Sequence, residues 1–183
     1  MQYNQQHITQ LLQQCKKGKQ SAQFEIYKMY YKAMYNTSLR ILKDSFEAED
    51  VMQESFLIAF TKLSTFKAEV SFGSWLKKIV INKSITHLRR NSKITEVPLE
   101  NIKEQPEEHV ENENYEMLSP KEIINGINEL KDNYRIVLTL KLIEGYDYEE
   151  ISQIMDITNQ NCRTTISRAK NKLRKILNSS YAK

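Results

Sequence analysis

Glycine, proline and cysteine are scarce in this chain of 183 residues, which contains four Gly, three Pro and two Cys. So few turn-forming residues disfavour an all-β fold, because its many short strands need frequent tight turns. The cysteines, Cys15 and Cys162, are too few and too far apart for a disulfide framework, which favours a reducing compartment. The three histidines lack the spacing of metal ligands, so we predict no metal site and no cofactor.

Long apolar runs are also missing. No segment approaches the about 20 residues that a membrane-spanning helix needs, and the polar first residues, MQYNQQH, do not resemble a signal peptide. The sequence has neither a glycine-rich phosphate loop nor a convincing pair of nucleophile and base. These absences predict a cytoplasmic protein without direct membrane insertion, which is not an enzyme and has no small-molecule substrate.

Charge is divided unevenly along the chain, although the net charge is only +4. Residues 71–93 contain six basic residues and no acid, and the chain after Asp156 contains seven Lys or Arg and no acid. Residues 94–118, by contrast, contain eight Glu and one Lys. This order of basic, acidic and basic segments indicates two modules that face nucleic acid and an acidic connector between them.

Apolar residues recur with helical spacing over most of the sequence, which predicts an all-α fold. One helix is expected to begin after Ser119, with Pro120 in its first position. Other helices are expected at residues 8–16, 21–42, 48–63, 74–90 and 133–144. The segment 94–118 lacks this periodicity, so we predict two small helical domains, residues 1–93 and 119–183, joined by an acidic flexible linker.

The segment YEEISQIMDITNQNCRTTISR, residues 148–168, has the pattern of a helix-turn-helix. Asp147 and Glu150 have the spacing of a capping box for its first helix, and Thr158 is a suitable cap for the second. Asp156 occupies the turn between them, and Gly145 is expected to end the preceding helix in a left-handed conformation. The apolar residues of the second helix, spaced by four or three, predict its buried face. They are Cys162, Ile166, Ala169, Leu173 and Ile176.

The opposite side of this second helix is basic and polar. In a helix-turn-helix the start of the second helix meets base edges in the major groove. Arg, Asn and Gln can form bidentate hydrogen bonds with guanine or adenine there. The alternative is a solvated basic face on an ordinary helical bundle. The candidate DNA-binding residues are Asn159, Gln160, Asn161, Arg163, Thr164, Ser167, Arg168 and Lys170.

The helix expected at residues 74–90 also has two unlike sides. Trp75 shares a stripe with polar and basic residues, and the loop aromatics Phe66 and Phe72 are its neighbours in sequence. A tryptophan beside cations can be the edge of a core, or it can be a platform on which an unstacked base sits. The stripe comprises Trp75, Lys78, Asn82, Thr86 and Arg89.

The helix expected at residues 48–63 has a core face and an acidic, partly apolar face. Met52, Phe56, Ala59 and Leu63 form the core face. The other face is interpreted either as an ordinary solvated surface or as a surface on which another protein docks. It consists of Asp50, Gln53, Glu54 and Leu57.

Three segments together resemble a known family. EAEDVMQESFLIAF (residues 47–60) resembles region 2.2 of bacterial sigma factors, and SFGSWLKKIVINKSITHLRR (residues 71–90) resembles regions 2.3 and 2.4. The segment NELKDNYRIVLTLKLIEGYDYEEISQIMDITNQNCRTTISRAKNKLRKIL resembles region 4. Their order and spacing over nearly the whole chain resemble the extracytoplasmic-function (ECF) group of RNA polymerase sigma factors.

This resemblance implies core RNA polymerase, promoter DNA and an anti-sigma factor as partners. It implies that Asp50, Gln53, Glu54 and Leu57 bind the polymerase clamp helices and that the helix-turn-helix binds the −35 promoter element. It also implies that the acidic linker runs toward the RNA path of the polymerase. The residues that it implies for opening and holding the −10 element are Phe66, Lys67, Ser71, Phe72, Trp75, Lys78, Asn82, Thr86, Arg89 and Arg90.

The sequence departs from the family pattern at three positions. It has Thr86 where Asp is frequent, Lys131 where Pro is frequent, and Asp156 where Gly is frequent. The recognition segment also differs, with Asn161 and Thr165 at variable positions, so the resemblance does not supply the −35 sequence. Two other functions are compatible with parts of the chain: a stand-alone helix-turn-helix regulator, and a protein-interaction adaptor whose basic faces never contact DNA.

Overall fold

A computed structural model describes residues 5–91 and 119–181, and the predicted linker at residues 94–118 lies outside them. Within the described ranges every regular element is helical, as predicted. The chain forms two compact units, Met1–Arg90 and Asn91–Lys183. The all-α architecture with two small domains is therefore confirmed.

In residues 5–90, the described part of the N-terminal unit, the chain forms four helices and a short 3-10 turn. They are α1 (Gln5–Lys16), α2 (Gln20–Leu42), α3 (Ser45–Thr61), the 3-10 turn Leu63–Thr65, and α4 (Phe72–Arg90). The observed α1 and α3 begin three residues before the predicted starts, because none of the three extra residues of either helix is buried and they add nothing to its core face. The most deeply buried core side chains are at most 2% exposed and come from all three long helices; they include Ile26, Phe56, Leu76, Ile81 and Ile85.

Two close contacts position α4 against α2. The hydroxyl groups of Ser38 and Ser84 are hydrogen-bonded at 3.1 Å inside the core. At the start of α4, a Cβ on Gly73 would lie 2.9 Å from Cε1 of Tyr30, which is closer than real Cβ contacts. The missing side chain of Gly73 therefore allows α4 to begin directly beside the Tyr30 ring.

Residues 119–181 of the C-terminal unit form four α-helices. They are α5 (Pro120–Glu129), α6 (Asp132–Leu138), α7 (Tyr148–Met155) and α8 (Asn159–Tyr181). The single helix predicted at residues 133–144 is α6 followed by a π-helical turn, Thr139–Ile143. In this turn the Glu144 N–H donates to the Thr139 carbonyl, five residues earlier, at 3.0 Å. Apolar spacing alone does not distinguish this wider turn from an α-helix.

The predicted capping residues are confirmed. Ser119 and Glu122 form a capping box at α5, and Asp147 and Glu150 form a second one at α7. In the second box the Glu150 N–H donates to Oδ1 of Asp147 at 2.8 Å, and the Asp147 N–H donates to Oε2 of Glu150 at 2.9 Å. The left-handed conformation predicted for Gly145 is also present, with φ of 80°.

The buried face of α8 follows the predicted stripe with one correction. Cys162, Ile166, Ala169 and Leu173 are buried as expected, whereas Ile176 is only half-buried. Leu177 is buried instead, at 7% exposed. A straight helix turns by 100° per residue, so a long stripe must take an extra step of four to stay on one side.

Asp156 is expected to carry backbone strain in the turn of the helix-turn-helix, because its φ is 51°. A left-handed residue with a Cβ costs about 1–2 kcal/mol, which glycine avoids while losing about 0.5–1 kcal/mol of chain entropy. Asp156→Gly should therefore raise the free energy of unfolding by up to about 1 kcal/mol, and Asp156→Val should lower it. Urea denaturation of the full chain measures both.

The matched control is Gln153→Gly, at an exposed position within α7. It should destabilise the chain by about 0.5–1 kcal/mol, because glycine has no compensating advantage in a right-handed helix. Equal destabilisation by glycine at positions 153 and 156 would contradict the account of the turn.

Candidate nucleic-acid interface

Four aromatic side chains meet where α4 begins, and we call them the aromatic cluster: Tyr30, Phe66, Phe72 and Trp75. The ring centroids of Phe66 and Trp75 are 5.2 Å apart, and Phe72 lies 5.7 Å from both. Tyr30 contacts Phe72 edge to face at 5.5 Å, and burial raises the pKa of its hydroxyl. The cluster therefore joins the loop before α4 to α2 and to the first turns of α4.

The members of the cluster differ in exposure, and this corrects one expectation. Phe72 was expected in the loop, but it is the first residue of α4 and is only 3% exposed. Phe66 and Trp75 are half-buried and retain accessible ring surface. Phe72 thus supports the two other rings from the core side, whereas Phe66 and Trp75 are available to a ligand.

The loop between Phe66 and α4 has a defined conformation. The hydroxyl of Ser71 accepts a hydrogen bond from the Ser74 N–H at 3.1 Å and so caps α4. Ala68 has a left-handed backbone with φ of 60°, which is costly for a residue with a Cβ. Lys67 and Ser71 are exposed on this loop.

The rest of α4 shows the predicted division into two sides. Leu76, Val80, Ile81, Ile85 and Leu88 are at most 1% exposed. On the outer side the Thr86 hydroxyl donates to the Asn82 carbonyl at 2.8 Å. The exposed residues of the outer side are Lys78, Asn82, Thr86, Arg89 and Arg90.

The outer side of α3 carries the predicted acidic face. Asp50, Gln53, Glu54 and Leu57 are all exposed, and Leu57 is 68% exposed. The sequence analysis missed Phe46, which is 81% exposed one turn before Asp50. Phe46, Asp50, Gln53 and Leu57 follow the helical spacing of four, three and four, which was the available signal. Two exposed apolar side chains thus flank a polar centre.

An ion pair and a histidine–carboxylate contact connect α3 to α4. Lys83 Nζ lies 2.6 Å from Glu54 Oε2, and His87 Nε2 lies 3.6 Å from Glu47 Oε1. The hydrogen bond from Lys83 lowers the pKa of the Glu54 carboxyl, and the charges of Lys83, His87 and Arg90 lower it further. Because the Glu54 side chain is 56% exposed, the Glu54–Lys83 pair contributes at most about 1 kcal/mol to stability. Glu54 therefore belongs to the acidic face of α3 and also contacts the basic helix α4.

In the C-terminal unit, α8 presents the predicted polar side at its start. The Thr158 hydroxyl caps α8 by accepting from the Asn161 N–H at 3.2 Å, and Arg163 Nε donates to Oδ1 of Asn159 at 2.9 Å. Thr165 is only 4% exposed, so it is a core residue and not part of the outer side. Asn159, Gln160, Arg163 and Ser167 are exposed, and Asn161, Thr164, Arg168 and Lys170 are half-buried.

A tyrosine that the sequence analysis did not select contacts this surface. The Tyr148 ring has Arg163 Cζ at 4.8 Å and Lys141 Nζ at 4.6 Å from its centroid. Burial raises the pKa of the neighbouring Cys162 thiol, while the charges of Arg163 and Lys141 act in the opposite direction. The start of α8 thus has two cations arranged around one aromatic ring.

Residues 5–91 and 119–181 contain no group of three or more His, Cys, Asp or Glu side chains that could hold a metal ion. No helix in those ranges is long and apolar enough to cross a membrane.

The two units match two models of one protein family. Residues 26–94 match the sigma-70 region 2 model, and residues 121–173 match the sigma-70 region 4 model. A relative from Bacillus subtilis, the ECF RNA polymerase sigma factor SigM, is 30% identical over 84% of this chain and 94% of its own length. The chain belongs to the ECF family of RNA polymerase sigma factors. A second relative from Bacillus subtilis, the ECF sigma factor SigW, is 28% identical over 93% of this chain and 96% of its own.

Solved structures share the fold of this sigma factor. The sigma factor RpoE of Bartonella quintana, in complex with the anti-sigma factor NepR, superposes with a TM-score of 0.55 and 19% identity, covering 84% of this chain and 95% of RpoE. CnrH, in complex with the cytosolic domain of CnrY, gives a TM-score of 0.54 and 21% identity, covering 92% of this chain and 96% of CnrH. The family membership establishes a transcription initiation factor that binds core RNA polymerase and promoter DNA.

Proposed function

We propose that this sigma factor opens promoters without catalysis of its own, by binding the melted −10 element more tightly than the duplex. Differential affinity of this kind shifts the equilibrium toward the open state. The observation that carries the proposal is the half-buried Trp75 beside Phe66, at the head of the exposed basic side of α4. The protein acts in the cytoplasm in this proposal, because its polymerase and DNA partners are there.

In the proposed −10 site, Phe66 and Trp75 form the platform on which an unstacked base is held. Aromatic platforms bind bases of melted strands, and neighbouring cations bind the phosphates. Phe72 supports the platform, Asn82 and Thr86 face base edges, and Ser71 lies in the loop beside the platform. The cations proposed for the phosphates are Lys67, Lys78, Arg89 and Arg90.

In the proposed polymerase site, the outer side of α3 docks on the clamp helices of the largest subunit. Phe46 and Leu57 provide exposed apolar anchors, and Asp50, Gln53 and Glu54 provide a negative and polar centre. Apolar anchors carry much of the affinity of protein interfaces, and complementary charge accelerates association. The surface therefore fits a partner with both apolar and basic side chains.

In the proposed −35 site, the start of α8 enters the major groove. Asn159, Gln160, Asn161 and Arg163 are placed to reach base edges, because they lie on the first turns of the recognition helix. Contacts to phosphates position a protein on DNA without reading its sequence. Those contacts are assigned to Thr164, Ser167, Arg168 and Lys170.

A protein partner that masks these surfaces is also part of the proposal. RpoE and CnrH, whose fold this chain shares, were solved in complex with the anti-sigma factor NepR and the cytosolic domain of CnrY, respectively. We propose that an anti-sigma factor binds this chain in the same manner and blocks its access to polymerase. A stand-alone regulator would leave both the exposed stripe of α3 and the aromatic cluster without a role.

Reversal of charge at Asp50 should weaken binding to core polymerase. Asp50→Lys places a cation in the centre of the proposed docking face and should reduce affinity at least about 10-fold, since burying like charges together costs several kcal/mol. Fluorescence anisotropy of the labelled chain with purified core polymerase measures the dissociation constant.

Glu25→Lys is the matched control for that measurement. It makes the same change of charge on α2 of the same unit, where Glu25 is exposed and hydrogen-bonded to His7. Its affinity for core should stay within about 2-fold of the wild type, because isolated surface pairs contribute little. Equal losses for the two variants would show a nonspecific effect of net charge and contradict the assignment of α3.

Removal of the Trp75 ring should impair promoter opening after the promoter has been bound. Stacking of a base on an aromatic side chain is worth about 1–3 kcal/mol, so Trp75→Ala should reduce open-complex formation roughly 5- to 150-fold. Trp75→Phe keeps an aromatic face and should retain most activity. Permanganate reactivity of unpaired thymines in the holoenzyme–promoter complex measures opening.

Binding of the same holoenzyme to closed duplex DNA distinguishes a role of Trp75 in promoter opening from general damage to the fold. Trp75→Ala should leave the affinity for a duplex that contains only the −35 element unchanged. A parallel loss of −35 binding and opening would show that Trp75 only stabilises the fold.

A further inference from the structure

The Tyr148 ring contacts cations from two neighbouring elements. Lys141 lies in the π-helical turn and Arg163 lies near the start of α8, at 4.6 and 4.8 Å from the ring centroid. Both distances are within the roughly 6 Å at which an aromatic face attracts a cation. We call Lys141, Tyr148 and Arg163 the Tyr148 cluster.

Local structure fixes the position of the ring. Tyr148 is the first residue of α7, and the capping box of Asp147 and Glu150 holds the backbone on both sides of it. The ring is half-buried, and Lys141 is anchored beside it by a hydrogen bond from its Nζ to the Tyr146 carbonyl at 3.3 Å. The ring therefore provides a rigid surface against which a mobile arginine side chain can be ordered.

Arg163 is held by two contacts of different kinds. Its Nε donates to Oδ1 of Asn159 at 2.9 Å, and its guanidinium lies against the Tyr148 ring. Asn159 belongs to the same helix, so it cannot fix Arg163 relative to α7, whereas Tyr148 can. A long side chain that is already ordered loses less entropy on binding, which is worth a factor of about 2 to 12 in affinity.

We propose that Tyr148 is a positioning residue for promoter recognition, whose ring holds Arg163 in the orientation that reads the −35 element. The same ring keeps Lys141 close to Arg163 as an additional cation for the DNA backbone. The inference rests on the proposed −35 role of Arg163. Tyr148 itself contacts no base in this proposal and acts through Arg163.

The test compares specific with nonspecific binding by the holoenzyme. The probes are a duplex with the −35 sequence that the wild-type protein selects from a random pool, and a duplex with that sequence scrambled. Tyr148→Met should lower the ratio of the two affinities about 2- to 12-fold. Tyr148→Phe should keep the wild-type ratio, because the aromatic face remains.

Tyr134→Met is the matched control. Tyr134 is also half-buried in the C-terminal unit, and its ring contacts a cation of α8, Lys172, at 5.8 Å. Lys172 has no assigned contact with DNA, so this variant should keep the wild-type ratio. Equal losses in Tyr134→Met and Tyr148→Met would show a general effect of losing a tyrosine and overturn the proposal.

A double-mutant cycle separates the two possible failures. In an Arg163→Ala background, Tyr148→Met should have no further effect on the ratio. If Arg163→Ala alone leaves the ratio unchanged, the proposed −35 role of Arg163 is wrong. If Arg163→Ala lowers the ratio and Tyr148→Met does not, only the positioning role is wrong.

Two further results would also overturn the proposal. An increased ratio in Tyr148→Met would mean that the ring keeps Arg163 away from DNA. A loss in Tyr148→Phe as large as in Tyr148→Met would mean that the hydroxyl, and not the ring, is responsible.

A measurement on the wild-type chain covers the case in which Tyr148→Met does not fold. The ring current of Tyr148 should shift the NMR signals of the Arg163 side chain, and unshifted signals would contradict the contact.

Discussion

Both proposed DNA-binding surfaces depend on the fact that a helix can bury only one stripe of its circumference. In α4 the burial of Leu76, Val80 and Ile85 turns the opposite stripe, headed by Trp75, toward solvent. In α8 the burial of Cys162 and its successors does the same for the polar start of the helix. A change in the buried stripe that rotated either helix about its axis would therefore turn the proposed interface away from solvent, although no residue of that interface would be altered.

An ion pair also links the two proposed surfaces of the N-terminal unit. Lys83 and Glu54 join the basic helix α4 to the acidic face of α3, so the proposed polymerase and −10 surfaces adjoin within one unit. The ion pair is only partly exposed, but its contribution to stability is small enough for either side chain to exchange it for a contact with polymerase or DNA. The two proposed surfaces therefore lie on a single scaffold of three long helices.

The sequence was sufficient for features that depend on local chemistry. The cap at Ser119, the capping box at Asp147, the left-handed Gly145 and the two-sided pattern of α4 follow from neighbouring residues and helical period. Features made by contacts between distant segments were not predictable. The pairing of Tyr148 with Arg163 depends on how α7 packs on α8, and a single sequence contains no record of that distance.

The same reason explains the corrections. The sequence predicts a loop at Phe72, whereas the structure places it in α4. Its contact with Tyr30 draws it into the core, and that contact joins residues far apart in the chain. Phe46 was overlooked because the acidic residues of α3 dominated the pattern, although its spacing matched theirs.

The most direct test of the central claim is transcription reconstituted from this chain, core polymerase and a pool of genomic promoter fragments, with start sites mapped. The account predicts initiation at defined sites that share two upstream elements, whereas duplex binding without core binding or initiation would contradict it.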